Sequence, residues 1–448
     1  MRQQDFTRRR LMSLAAGTAL TVASAGTPAL AAPTPPPIPA LRVNPDRLRR
    51  TLEDLSLYGR RLGGGFEDGV SRFAYSDADI AGRAYVMKLI RQSLCEPGID
   101  AAGNIVATRP GRVRGLKPIL IGSHIDSVPG GGNFDGALGS LAAVEIFQTL
   151  EDTHTELRHP LQLVLWSNEE GGTIGSGLAV GSTRPADLNL VLNGIRRSEG
   201  LRRIGGDPDR LDTARIAPGS IAAYLELHIE QSSLLERAGV PVGVVDGIVA
   251  IDEYEVEIRG FANHAGTTPM ADRRNALLAA ARLIEAVQAE VTREPGRQVG
   301  TVGHLEVSPN VRNVVPGRVN LTIELRDLDA AKIRQIGDRI AGRAATIAED
   351  TGTEISLKAV ARDPAALATP ALQAQIEAAS AALGLATMHL PSGAGHDAAN
   401  LAMVGPMAMI FVPSVGGISH SPHELTRWGD CANGANVLLQ TLLRLDRT

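Results

Sequence analysis

Apolar residues first fall in short runs bounded by turn residues. Ile119-Leu120-Ile121-Gly122-Ser123-His124, preceded by Lys117-Pro118, reads as a buried strand. Leu161-Gln162-Leu163-Val164-Leu165-Trp166 reads as a second, Ala223 to Ile229 as a third and Met407 to Val412 as a fourth. A helix is predicted over about 137–150. Strands alternating with helices predict a mostly parallel sheet covered on both faces. Between the third and fourth strands the pattern changes. Tyr254, Val256 and Ile258 alternate with Glu253, Glu255, Glu257 and Arg259, the mark of a half-exposed strand. A helix over about 272–291 follows, then strands near 299–307 and 318–326. A second helix carries Ile333, Ile336, Ile340 and Ile347 on one face, and a last strand lies near 353–360. The order β-α-β-β-α-β is the ferredoxin-like plan. The chain therefore reads as a discontinuous α/β domain at 42–248 and 363–448, interrupted by a small α+β domain at 249–362.

Composition narrows the classes. The 448 residues carry a formal net charge of −4, so no basic field exists to bind nucleic acid. Hydrophobic residues at 44% and charged residues at 21% are ordinary for a soluble globular protein and exclude global disorder. Cys95 and Cys431 are the two cysteines, which excludes a disulfide scaffold and a thiolate zinc module. They read as packing residues. Any metal must be held by His, Asp and Glu.

The N-terminus reads as an address. Thr7-Arg8-Arg9-Arg10-Leu11-Met12 opens an apolar stretch to about Ala25, and Ala29-Leu30-Ala31 supplies small residues for cleavage. Residues 1–31 thus form a twin-arginine export signal, with a proline-rich linker at 32–41. The apolar run is shorter than the roughly 20 residues that span a bilayer, so no stable membrane insertion is expected. The predicted location is periplasmic or extracellular.

Candidate chemistry gathers at strand ends, where open α/β sheets place their ligand sites. His124 ends the first strand and Asp126 follows it. Asp135 lies in Gly130-Gly131-Gly132-Asn133-Phe134-Asp135-Gly136, directly before a helix. Glu169-Glu170 follows the second strand, His228 ends the third, and His420 follows the fourth in Ser419-His420-Ser421-Pro422. Each piece alone has a plainer reading: a hydrogen-bonded core histidine, a solvated acidic turn, a glycine-rich phosphate turn. Asp135 would repel a phosphate, however, and neither a Gly-Lys-Ser/Thr nor a Gly-x-Ser-x-Gly motif is present. Together the imidazoles and carboxylates form an N/O donor set suited to zinc, manganese, cobalt or nickel. His154 and His159 read as solvated, and His304 as a surface or packing residue. His423 is set aside because the Ser-His-Ser-Pro context points to His420.

At these residues the sequence resembles the dinuclear-metal amidohydrolases related to aminoacylase and carboxypeptidase G. Within them it is similar to the N-carbamoyl-L-amino-acid hydrolase, ureidopropionase and allantoate amidohydrolase branch. The resemblance runs from about Leu48 to Leu445. It includes Ser71-Arg72-Phe73-Ala74-Tyr75-Ser76, His228-Ile229-Glu230-Gln231, Asn263-His264-Ala265-Gly266-Thr267-Thr268-Pro269-Met270, Asn313-Val314-Val315-Pro316-Gly317 and Ser392-Gly393-Ala394-Gly395-His396-Asp397. It implies a metallohydrolase catalytic domain with an inserted dimerisation or lid domain, and two divalent metal ions per subunit. Asp135 would bridge them, with His124 and His228 on one and Glu170 and His420 on the other. Glu169 would be the general base, and Asp126 would orient His124. Arg326 would grip a substrate carboxylate, with Gln231, Asn313, Gly395 and His396 as further substrate contacts. His264 would reach the catalytic site of the neighbouring subunit in a homodimer.

The implied reaction is hydrolysis of the carbamoyl C–N bond of an N-carbamoyl-L-amino acid or related ureido acid, releasing ammonia and carbon dioxide. Allantoate amidohydrolase, a peptidase or aminoacylase on the same fold, and a non-enzymatic exported solute-binding protein are the alternatives. The Asn313 and Arg326 pair and the His-Ile-Glu-Gln motif weigh against the peptidase. Glu169 weighs against the binder, which needs no general base. Two departures bear on the substrate: Ser232 stands where the family usually has Gly, and the turn Gly171-Gly172-Thr173-Ile174-Gly175 stands where relatives commonly carry a Ser-Arg-Phe stretch. Asn275, where relatives often have Asp, reads as structural.

Overall fold

The computed structural model describes residues 38–192 and 194–447. The predicted export signal and most of the linker lie outside the described residues. The four predicted strands form adjacent parallel members of one large sheet. Leu161–Trp166, Ile119–His124, Ala223–Ile229 and Met407–Val412 lie in that spatial order. Three of them are buried at every position, so each is a continuous apolar run rather than an alternating one. The helices Ala137–Asp152 and Trp428–Leu445 touch each other and pack on these strands. The short helices Ile174–Val180 and Asp397–Leu401 form a second touching pair on the same sheet.

The flanks are antiparallel, which the sequence pattern does not show. Ile105–Arg109 pairs antiparallel with Leu161–Trp166, and Val242–Ile248 antiparallel with Met407–Val412. Thr387–Ser392 adds a parallel partner to Val242–Ile248, and Ala366–Leu367 an antiparallel one. Cys95 and Cys431 are buried and unpaired with each other. His159 departs from its solvated reading: it is buried, and its Nδ1 donates to the Lys117 carbonyl at 2.8 Å.

Between Ile248 and Ala250 the chain leaves the large sheet for a second one, and it returns between Asp363 and Ala366. The second sheet has four antiparallel strands in the order Val299–Ser308, Arg318–Asp327, Ala250–Arg259, Glu354–Asp363. That order is ferredoxin-like. Tyr254, Val256, Ile258, Leu321, Ile323 and Leu325 point to one face and are buried with residues of the helices Ala276–Val291 and Ala330–Thr351. The first of these helices begins four residues later than the apolar pattern suggests. Asn275 caps it by accepting the N–H groups of Leu277 and Leu278 at 3.1 and 3.2 Å. Among the described residues, no helix is long and apolar enough to cross a membrane.

Candidate metal centre

His124 and His228 end two neighbouring buried strands, so the sheet itself sets their spacing. Each Nδ1 donates to a main-chain carbonyl, His124 to Asp126 at 3.0 Å and His228 to Ile229 at 2.9 Å. In the neutral ring that fixes the tautomer and leaves Nε2 as a lone-pair donor. Both Nε2 atoms are buried without a hydrogen-bond partner, and both face Asp135 Oδ1, at 3.7 Å and 3.0 Å. Asp135 reaches them from the glycine-rich turn before the Ala137–Asp152 helix. Gly136 makes that turn possible: its φ is 61°, and a side chain there would collide with the His124 ring.

The other oxygen of Asp135 looks the opposite way. Oδ2 lies 3.3 Å from His420 Nε2, which is 3.4 Å from Glu170 Oε2. Two groups thus form around one carboxylate: His124, Asp135 and His228, and Asp135, Glu170 and His420. Within each, the donor atoms lie within 4.8 Å of one another. Orphaned, buried Nε2 atoms and an orphaned Glu170 Oε1, all in an N/O donor set, fit divalent cations of the zinc class.

The charges agree with that fit. Burial pushes the Glu169 carboxyl well above the usual carboxylate range, and Asp397 and Glu170 push it further. Glu170 is pushed up to about 8 by burial and by Asp135. Burial opposes a charge on His228, but Asp135 outweighs it and raises the imidazole to about 9. His420 is raised to about 9, chiefly by its Asp135 contact, whereas burial lowers His124 to about 4. The site holds more carboxylates than its imidazoles balance, the imbalance that bound cations relieve.

Asp126 orients His124 as expected, at 3.0 Å, and has a second task. Its main-chain carbonyl, not its carboxylate, orients His124. The carboxylate stands 3.7 Å from His124 Nδ1 and accepts the main-chain N–H groups of Glu169 and Glu170, each at 3.2 Å. It therefore fixes the Glu169-Glu170 turn. Glu169 Oε2 then lies 3.6 Å from His124 Nε2.

A cavity of about 280 Å³ opens beside these groups. Gln231, Gly395, His396 and Arg326 line it with Asp135, Glu169, Glu170, His228 and His420. Gln231 Nε2 donates to Asp135 Oδ2 at 2.8 Å. His396 is buried, with its ring 4.4 Å from that of His228. Arg326 comes from the small sheet and is held by Glu324 at 2.7 Å and the Gly393 carbonyl at 2.6 Å. Asn313 and His264 do not line this cavity. His264 is exposed on the short strand Asn263–His264, and Asn313 is exposed in the turn that leads into its partner strand Val314–Val315, at one end of the small sheet. His264 Nδ1 accepts the N–H groups of Gly266 and Thr267 at 3.0 and 3.1 Å.

Three buried acids escape the sequence reading. Glu226 accepts from Ser123 and Tyr224 beneath the histidines. It lies two residues before His228 on a fully buried strand, a spacing that shares a face and was its available signal. Glu424 accepts the N–H groups of Phe134 and Asp135 at 2.9 and 3.0 Å and so holds the Asp135 turn. Asp397 is buried directly after His396.

A mostly parallel α/β sheet with this candidate donor set at its strand ends, and a buried glutamate beside it, marks a hydrolase with a candidate metal centre. Residues 120–444 match peptidase family M20/M25/M40, and the chain belongs to that family. It is 39% identical over 406 residues to the N-carbamoyl-L-amino acid amidohydrolase of Geobacillus stearothermophilus, covering 89% of this chain and 98% of that protein. It is 33% identical over 412 residues to the allantoate amidohydrolase of Escherichia coli, covering 89% and 97%. A hydantoinase/carbamoylase family amidase from Burkholderia multivorans superimposes with a TM-score of 0.85 at 35% identity, covering 92% of this chain and 100% of that one.

Proposed function

We propose that the chain hydrolyses the carbamoyl C–N bond of an N-carbamoyl-L-amino acid or related ureido acid, yielding the amino acid, ammonia and carbon dioxide. The observation that carries the reading is the pair of donor groups sharing Asp135, with Glu169 and Arg326 on the same cavity. Two divalent ions would be held by His124, Asp135 and His228, and by Asp135, Glu170 and His420. Bound there, they supply Lewis acidity that brings a water's pKa toward neutrality.

Glu169 takes the proton from the attacking water and passes it to the leaving nitrogen. Its burial among other acids suits a group that must both accept and return a proton. Arg326 offers a planar fork to the substrate carboxylate, and Gln231 and His396 border the space between fork and donors. His264 and Asn313 serve the site of a second copy, in a homodimer built on the small sheets. With Nδ1 accepting two amides, His264 keeps Nε2–H as a donor for the oxyanion that forms at the ureido carbon. The leader supports export by the twin-arginine route.

The test is ammonia release from N-carbamoyl-L-amino acids, ureidopropionate and allantoate by protein reconstituted with zinc, manganese, cobalt or nickel. Release from at least one substrate, lost on chelation and restored by metal, is expected. Release from none, alongside cleavage of a peptide or N-acyl amino acid, overturns the reading.

A further inference from the structure

Beside the metal-facing cavity lies a larger one of about 810 Å³. The two share Gly172, Thr173, Gly395 and His396, so the second opens directly off the first. Its walls come from the turn after Glu170, from both crossings between the sheets, and from the helix that follows His396. Ile174, Ile248, Val249, Ile251, Leu367 and Met403 give it an apolar surface. Leu367 and Met403 remain 64% and 59% exposed, and large exposed apolar side chains beside an active site mark a surface that a ligand covers.

Several polar side chains at its edge already have partners. Asn400 Nδ2 donates to Thr173 Oγ1 at 3.0 Å and to Ser176 Oγ at 2.9 Å, and Ser182 donates to Asn400 Oδ1 at 2.8 Å. Arg197 donates to the carbonyls of Gly171 and Asp187 at 2.6 and 3.4 Å. Arg197 Nε is left without a partner and Asp363 stands on the wall, so two charged groups border a surface that is otherwise mainly hydrocarbon.

We propose that this cavity receives the substituent on the substrate's α-carbon, and that the preferred substrates are N-carbamoyl-L-amino acids with large apolar side chains. The inference rests on the ureido-acid reading above. With the ureido carbon at the Asp135 groups and the carboxylate at Arg326, the α-carbon falls between them, beside Gly395 and His396. Those two residues form the boundary with the second cavity. A second ureido group, as in allantoate, would meet mainly apolar walls, with few free polar groups beyond Arg197 and Asp363. Burying each additional methylene should raise kcat/KM by about 4-fold, so leucine should exceed alanine by roughly 50-fold.

The experiment measures kcat/KM for metal-reconstituted enzyme on N-carbamoylglycine, its L-alanine, L-leucine and L-phenylalanine counterparts, and allantoate. Two variants accompany the wild type: Ala399→Phe, which fills the cavity, and Leu367→Asp, which charges its exposed rim without touching packed core. The expected result is a rise along the series from glycine to leucine, with the leucine-to-glycine ratio falling about tenfold or more in each folded variant. A ranking led by glycine or allantoate, or a ratio unmoved by Leu367→Asp, overturns the proposal and leaves the ureido reading intact. Activity on none of the five substrates overturns the reading itself.

Discussion

Asp135 divides its two oxygens between two donor groups, Oδ1 toward His124 and His228 and Oδ2 toward His420. Removing that carboxylate should therefore disturb both groups at once. Asp135→Ala is expected to lose essentially all bound metal, and elemental analysis of the purified variant would show whether one ion remains. Glu169→Gln should behave differently. The amide keeps the shape of the side chain and cannot take a proton from water, so metal content should persist while kcat falls by roughly 10²–10⁴. Turnover near the wild-type value would assign the proton transfer to another group. These side chains were legible in the sequence because each stands at the end of an apolar run or in the turn just beyond it. The hold of Asp126 on the Glu169-Glu170 turn, and of Glu424 on the Asp135 turn, was not legible. Their work is to bind main-chain amides, and Glu424 reaches Phe134 across 290 positions of sequence. No local pattern encodes a contact of that kind.

At the scale of elements, the small sheet was the easiest part to read. One of its faces is buried and the other is not, so Tyr254, Val256 and Ile258 alternate with charged neighbours. The antiparallel flank of the large sheet was hidden for the opposite reason. Val242–Ile248 is nearly all buried and is interrupted by Gly243 and Gly247, so its pattern has no period to detect. That strand is tied to the Pro370–Ala382 helix by His389, whose Nδ1 lies 2.7 Å from Asp246 and whose Nε2 lies 2.9 Å from Glu377. The two carboxylates, Glu377 foremost, raise the His389 pKa. A raised histidine stabilises the fold fully below its unfolded pKa of about 6.5, and the benefit is lost as pH rises through the folded value. His389→Gln should therefore lower the melting temperature at about pH 5.5 and cost much less at about pH 9. Melting curves of both proteins across that range check the sign.

For the whole molecule, the question is how many copies make a working site. His264 and Asn313 are exposed in the single chain and stand apart from the Asp135 groups. If they serve a neighbour, two dead proteins should repair one another. Glu169→Gln and His264→Ala are each expected to be inactive, and their mixture should regain part of the wild-type rate. In the mixed dimer one site has an intact Glu169 and an intact His264. Demonstrated subunit exchange without recovered activity would place the function of His264 elsewhere.

The two crossings between the sheets lie side by side, since Ala366 pairs with Ile248. The small sheet is thus carried on a narrow double strap, and its strands run outward from it as a lever. Arg326 pairs with Ile251, one step from the strap, whereas Arg318 pairs with Arg259 at the far end. Nine residues of strand give an arm of roughly 30 Å. Turning that arm by about 20° would carry the tip, with His264 and Asn313, through roughly 10 Å while Arg326 moved about 1 Å. The residue proposed to hold the carboxylate sits at the fulcrum, and the two proposed to complete a neighbour's site sit at the end of the swing.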